Sequence, residues 1–289
     1  MKEIAPNIYV STEYPGVNVG FIAMPAGIIA VDAPTLPGDA RAWRRRILET
    51  SGGPILYVVL TDPHPDRLLN AGLLQAPIVA ARAAYDRASA YTDGFWHAAV
   101  EGWARRHPEA ADDLVDARVT LPEIMFTHRV TLRKGGIDVT VECVAGAAPG
   151  SARIRCRGAG TAPLQKQDVL FTGDTLVTET HPYLTATPDT KAWLNTLKSL
   201  RRPYFSQTII VPGRGPICDQ SATLPLSKYL TLARRRVRSL HAAGRPRVDT
   251  ATLVAELLPL FPVPKDEHDL TQRRIKAGLD RLYEELGPA

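Results

Sequence analysis

The segment I-L-Y-V-V-L at residues 55–60 constrains this chain more than any other. It is apolar throughout, rich in β-branched and aromatic side chains, and too short for a buried helix, so it reads as a strand covered on its faces by other layers. It runs directly into Thr61-Asp62-Pro63-His64-Pro65-Asp66-Arg67, which crowds carboxylates, an imidazole and a guanidinium into one turn. Loops after buried strands are where layered α/β proteins place their sites. The same residues also suit a purely structural role, with Asp66 as an N-cap and Asp62 closing a turn.

The pattern around this strand is one of alternation. I-I-A-V at residues 28–31 is a second short buried strand. Between the two, residues 39–50 carry Trp43, Ile47 and Leu48 at helical spacing, with Arg41, Arg44, Arg45 and Arg46 on other faces, which gives a βαβ beginning. A strand is expected at 77–81, followed by helices to about residue 117 with Trp96, Val100 and Trp103 forming a core stripe. From 128 to 156 the period changes to two, with Gly135-Gly136 as the turn of a hairpin. Strands at 168–172 and 208–211 and helices at 189–200, 222–243 and 250–286 complete the pattern, the last helix broken near Pro259 to Pro264.

Composition narrows the class. At 289 residues, with 45% hydrophobic and 22% charged side chains, the chain can bury a substantial core and is not a disordered polymer. No apolar run approaches the ~20 residues needed to cross a bilayer, and M-K-E-I-A-P-N-I-Y-V lacks a signal-peptide core, so the expected location is cytoplasmic. Cys143, Cys156 and Cys218 have no C-x-x-C spacing and are read as buried small residues rather than a disulfide framework or a thiolate metal site. The net charge of +5 is a small surplus that does not indicate nucleic acid by itself.

Several segments, in order, resemble the metallo-β-lactamase superfamily over most of the chain. G-F-I-A-M-P-A-G-I-I-A-V-D resembles its opening hairpin ending in aspartate, and I-L-Y-V-V-L-T-D-P-H-P-D-R its strand followed by T-H-x-H-x-D-H. The stretch from L-P-E-I-M-F-T-H to A-G-A-A-P-G-S resembles the hairpin leading to G-H-T-P-G-S. D-V-L-F-T-G-D-T-L resembles the strand that carries the metal-bridging aspartate, and I-I-V-P-G-R-G-P-I resembles V-P-G-H-G-P. The resemblance implies an α/β fold, an αββα sandwich over residues 1–243 with a helical C-terminal extension at 244–289.

The departures matter as much. In the family, three histidines hold one zinc ion; an aspartate, two histidines and a bridging aspartate hold the second. By the resemblance the first set reads Asp62, His64 and Ala147 here, and the second reads Asp66, Arg67 and Arg214, with Asp174 bridging. Of the family's histidine ligands only His64 remains. A guanidinium is permanently protonated and donates only, so Arg67 and Arg214 cannot be ligands and would repel a dication. Arginine forks match carboxylates bidentately, which leads to the expectation that Arg67 and Arg214 hold Asp66 and Asp174 where relatives hold zinc.

The expected function is that of a degenerate, pseudoenzyme member without the dinuclear centre, with no cofactor, not an efficient metallohydrolase, and binding a small ligand. No catalytic residue is assigned. One alternative is a mononuclear metal-dependent hydrolase of an ester, thioester or lactam, with a single divalent metal on Asp62, His64 and Asp174. The other is a nucleic-acid-binding module using Arg201, Arg202, Arg234, Arg235, Arg236 and Arg238 with the Arg44–Arg46 run. The interleaved Leu230, Leu232, Val237 and Leu240 favour a solvated face beside a buried stripe. His181 and Tyr183, in the loop after the Asp174 strand, are pocket candidates, whereas His97, His107, His128, His241 and His268 read as surface or satisfied core residues. Neither G-x-S-x-G nor a phosphate loop occurs, and G-R-G-P at Gly213 to Pro216 is too short for a nucleotide fingerprint. The oligomeric state is left open.

Overall fold

The computed structural model describes residues 1–134, 137–157 and 168–287. The first sheet has the order β1-β2-β3-β4-β5-β6-β7, built from Lys2–Ala5, Ile8–Ser11, Val19–Met24, Gly27–Val31, Ile55–Val59, Ile78–Ala81 and Ile124–Phe126. Its first four strands pair antiparallel and its last three join in parallel. The second sheet has the order β12-β11-β10-β9-β8, from Arg129–Lys134 (β8), Ile137–Cys143 (β9), Ala152–Arg157 (β10), Asp168–Val177 (β11) and Ile209–Arg214 (β12). The expected Gly135-Gly136 turn lies outside the described residues, although Lys134 and Ile137 on either side of it are paired.

Helices cover the outer faces. α1 (Pro37–Ser51), α2 (Pro65–Leu68), α3 (Arg82–Ser89), α4 (Asp93–Arg106) and α5 (Ala111–Leu114) accompany the first sheet; α6 (Thr190–Leu200), α7 (Thr223–Ala242), α8 (Val254–Leu257) and α9 (His268–Leu286) follow the second. Helix α1 buries Trp43 and Ile47 and ends at Gly52, whose φ of 66° supplies the left-handed cap. Asp189 caps α6 by accepting hydrogen bonds from the backbone N–H groups of Lys191 and Ala192.

One core lies between the sheets, where Phe21, Ile29 and Val58 of the first share a cluster with Val139, Ile154 and Phe171 of the second. Gly20 makes this close approach possible, because a Cβ there would overlap the Phe171 ring. A second core on the far side of β11 and β12 unites Leu176 and Ile210 with Trp193 of α6, Leu230 of α7 and Ile275, Leu279 and Leu282 of α9. Residues beyond 243 thus pack into the helical layer over the second sheet. Trp103 is buried with Leu36, Leu69 and Leu114, while Trp96 and Val100 pack half-buried at the edge of that cluster.

Strands β1 and β2 are not announced by the sequence. Both are only four residues long and K-E-I-A is partly charged, and they exist because β3 offers β2 an edge in register from Ile8↔Ile22 to Ser11↔Val19. Conversely, the strand expected at 168–172 runs on to Val177, which carries Asp174 within the sheet. Among the described residues no helix is long and apolar enough to cross a membrane.

Candidate active site

The ends of β4, β5, β11 and β12 converge, and their chemistry is fixed by short loops. Strand β5 stops before Thr61, and Asp62 accepts the backbone N–H of His64 at 3.0 Å, turning the chain so that Pro65 can open α2. This loop brings Asp62, His64 and Arg67 to one point. Asp174 arrives on β11, and Arg214 is the last residue of β12.

The loop of Arg214 is held by a residue far away in sequence. Asn18 donates its side-chain N–H groups to the carbonyls of Pro212 and Gly215 at 2.9 and 2.7 Å, and its backbone N–H to that of Gly213 at 2.8 Å. Gly213 has no alternative here: a Cβ would strike the Asp174 carboxylate and collide with Arg67 Nη2.

Arg67 is the centre of the site. Fully buried, it donates Nη2 to Asp174 Oδ1 at 2.6 Å and to the Gly213 carbonyl at 3.3 Å; its Nε donates to Thr61 Oγ1 at 3.3 Å and lies 3.2 Å from Asp62 Oδ2. Arg214 grips the other side of Asp174, with Nη2 at 3.0 Å from Oδ2 and Nε at 3.3 Å from Oδ1, and its guanidinium lies 3.6 Å from the Tyr183 ring centroid. The expected pairing of an arginine with Asp66 does not occur. Asp66 Oδ1 instead accepts the indole N–H of Trp103 at 3.1 Å, and both guanidiniums converge on Asp174. The reason is placement: Asp66, in the first turn of α2, faces Trp103, whereas the buried Arg67 next to it faces the sheets.

His64 Nδ1 lies 2.8 Å from Asp62 Oδ1 and 3.5 Å from Asp174 Oδ2, without the alignment of a hydrogen bond, and its Nε2 is buried with no partner among the described residues. Burial works against its protonation, but the Asp62 and Asp174 carboxylates outweigh it and raise its pKa. Burial likewise works against the Asp62 carboxylate, yet Arg67 and His64 hold it well below its ordinary value. Asp62, His64 and Asp174 each offer a ligand atom, all within 4.8 Å of one another, a grouping that could hold a metal ion.

Asp32 is the site residue that the ligand-position comparison passed over. It follows β4 in a left-handed conformation, with φ of 54°, and accepts hydrogen bonds from Thr61 N at 2.9 Å and Thr61 Oγ1 at 2.7 Å. Its carboxyl is pushed up to about 7 by burial, against the pull of Arg67 3.7 Å away. The signal was present, in the aspartate that closes the opening hairpin.

Ala147 has no polar side-chain atom to offer this cluster. It is fully buried in the apolar core on the far side of β11, with Leu176 and Ile210. His181 is also placed differently from Tyr183. Its Nε2 lies 3.1 Å from the Leu258 carbonyl, and its ring sits edge-on to Tyr229 and Phe261, so it joins the loop to the C-terminal helices. Burial lowers its pKa.

Tyr183 opens onto a cavity of about 330 Å³ above the cluster, shared with Asn18, Asp66, Trp103, Arg106 and Arg274. His107 also lines it, stacked on Trp103. Arg106, His107 and Arg274 carry no sequence signal for this role, because α4 and α9 meet only through the tertiary fold.

No protein-family model matches the chain, and no curated protein matches it. Solved structures do. A metallo-β-lactamase from Pontibacter korlensis is 18% identical with a TM-score of 0.58, over 80% of this chain and 97% of that one. A metallo-β-lactamase family protein from Thermus thermophilus is 19% identical with a TM-score of 0.65, over 99% and 98%. A stereoselective inverting sec-alkylsulfatase from Pseudomonas sp. is 17% identical with a TM-score of 0.70; it matches 99% of this chain, which spans 50% of that enzyme. With two facing sheets, outer helices and these matches over most of its length, the protein has the metallo-β-lactamase fold.

Proposed function

We propose that two guanidiniums stand where relatives of this fold hold metal ions, that the protein is a pseudoenzyme rather than an efficient metallohydrolase, and that it binds a small ligand in the cavity beside Tyr183. The observation that supports this most is Arg67, fully buried with Nη2 2.6 Å from Asp174 and Nε 3.2 Å from Asp62. Both Asp174 oxygens are spent on arginines, so the residues present do not fit a dinuclear centre. Their charges also favour this state. Asp32, Asp62 and Asp174 face Arg67, Arg214 and an imidazole whose pKa is raised, and a divalent cation would enter against two fixed positive charges.

Both ring nitrogens of His64 lack a hydrogen-bond partner among the described residues, and Nδ1 lies beside the Asp62 and Asp174 carboxylates, which favours a second reading, a single ion on Asp62, His64 and Asp174. Such an ion would supply Lewis acidity for hydrolysis of an ester, thioester or lactam. Of the arginines on α7, Arg234 is buried against Glu285 and Arg236 is paired with Glu256, which takes these two away from a nucleic-acid face.

Metal analysis of protein purified without chelator separates the two readings, together with a thioester and lactam screen in added zinc. We expect well under one zinc per chain and no turnover above background. Stoichiometric metal lost on replacing His64 would establish the second reading and sink the first.

A further inference from the structure

Arg106 and Arg274 come from helices far apart in sequence, α4 and α9, and both line the cavity above the site. Arg106 rests on the Trp103 ring at 4.1 Å, and Arg274 lies 4.9 Å from the centroid of Tyr183. Neither has an ion-pair partner among the described residues, and the Nε of Arg106 is buried without any hydrogen-bond acceptor. Burial, and next the charge of Arg274, lower the pKa of Arg106, so the two cations are close enough to repel. Carboxylates are present in the wall, and Asp66 and Glu267 act on Arg106 through space in the opposite sense to Arg274, but among the described residues neither forms an ion pair with it. Asp66 is engaged by Trp103, and Asp66, Glu179 and Glu267 all lie beyond ion-pair distance of both guanidiniums. Two unpaired like charges held together in a cavity form a seat for an anion, whose entry would turn repulsion into charge-assisted hydrogen bonds.

The same residues are a wall shared with a second cavity. Asp66, Trp103, Arg106 and Arg274 also border a groove of about 810 Å³ between α4 and α9, where Phe95, Ala98, Ala99 and Leu270 present apolar surface beside the charged Arg105, Asp266 and Arg273. An anionic head placed between the arginines would therefore have an apolar channel beside it. We infer that the ligand of this protein is an amphipathic anion, with a phosphate, sulfate or carboxylate head between Arg106 and Arg274 and a hydrocarbon chain along α4 and α9. This rests on reading the cavity as a ligand site and is independent of whether the deeper cluster holds a metal.

Isothermal titration with butyl, hexyl and octyl phosphate, decanoate, octanol and inorganic phosphate tests the inference on the full chain. Octyl phosphate and decanoate should bind, with affinity rising by up to about fourfold per methylene along the alkyl series. Octanol and inorganic phosphate should bind at least tenfold more weakly than octyl phosphate. Arg106→Gln and Arg274→Gln should each weaken octyl phosphate at least tenfold, whereas Arg238→Gln on α7 should not. Because the two arginines are unpaired, their ligand-free melting temperatures should stay near that of the unmodified protein, which guards against misfolding as the cause. Equal binding of octanol would show a ligand cavity without an anion seat and overturn the inference while leaving the proposed function standing. Absence of binding by every amphiphile, or binding unchanged in both glutamine variants, would also overturn it. Phosphate head and carboxylate head are distinguished by the ratio of octyl phosphate to decanoate affinity. Metal content measured on the same samples reports separately on the guanidinium centre, whose failure would leave an arginine-dependent anion seat intact.

Discussion

Arg67→Met removes the charge at the centre of the site while keeping a side chain of similar length. The guanidinium gives up a 2.6 Å bond to Asp174, bonds to Thr61 and Gly213, and its 3.2 Å approach to Asp62, all without access to water. Hydrogen bonds to charged groups are worth about 1.5 to 3 kcal/mol each, and removing one partner of a buried pair costs about 3 to 5 kcal/mol because the other charge is left behind. Two features act in opposite directions. Asp174 keeps Arg214, which limits the loss; Asp62 and Asp32 lose their nearest guanidinium, which adds to it. The net expectation is a loss of about 4 kcal/mol at pH 7, with the melting temperature falling by roughly 10 °C. Urea titration followed by tryptophan fluorescence and circular dichroism reads this out, and coincident transitions justify a two-state treatment. Adding Asp174→Asn to Arg67→Met should cost less than the two single losses summed, since the carboxylate and its partner leave together. A loss below about 1 kcal/mol for Arg67→Met would refute the reasoning, because the carboxylates would then have to be hydrated or already neutral.

Other perturbations probe the neighbouring links. Arg214→Ala should cost about 3 kcal/mol, less than the change at Arg67, because Arg67 still holds Asp174; an unchanged melting temperature would mean the cavity floor is wet. Asp32→Asn keeps a residue tolerant of the left-handed backbone and one of the two acceptors used by Thr61, replaces the other by an amide donor, and removes the ionisation, so the pH dependence of the difference isolates the ionisation. With a folded pKa of about 7 against an ordinary 3.8, neutral Asp32 stabilises the fold fully below pH 4, and that contribution is lost as pH rises through 7. The stability of the parent minus that of the asparagine variant should therefore fall between pH 4 and 7, by up to about 1 kcal/mol per unit, and a flat or rising difference in urea midpoints would contradict it. Gly213→Ala should lower stability by about 2 kcal/mol or more, by forcing a methyl against Asp174 and Arg67, and a crystal structure of the variant should show the 2.6 Å contact broken.

How much of this was legible beforehand varies residue by residue. Strand β5 and the turn after it are local facts: a β-branched apolar run has little choice but burial, and the prolines at 63 and 65 permit only a few turn geometries. The helix signals were equally local, so α1, α6 and α7 fall within a residue or two of their expected bounds. The resemblance placed Asp62, His64, Arg67, Asp174 and Arg214 in one site, where the fold brings them together. It did not say which acid each arginine would take.

Sequence by itself therefore determined the layered α/β architecture, and a single imidazole, that of His64, with the charges beside it at the strand ends, since these depend on side-chain chemistry and short-range pattern. Only the tertiary structure decided that Asp66 turns to Trp103, that Ala147 packs with Leu176 and Ile210, and that Arg106 and Arg274 line one cavity. The physical reason is direction. A side chain's reach is a few ångströms, and which partner falls within it depends on how loops joining distant strands and helices are aimed, a quantity set by the packing of the two sheets and of α4 and α9.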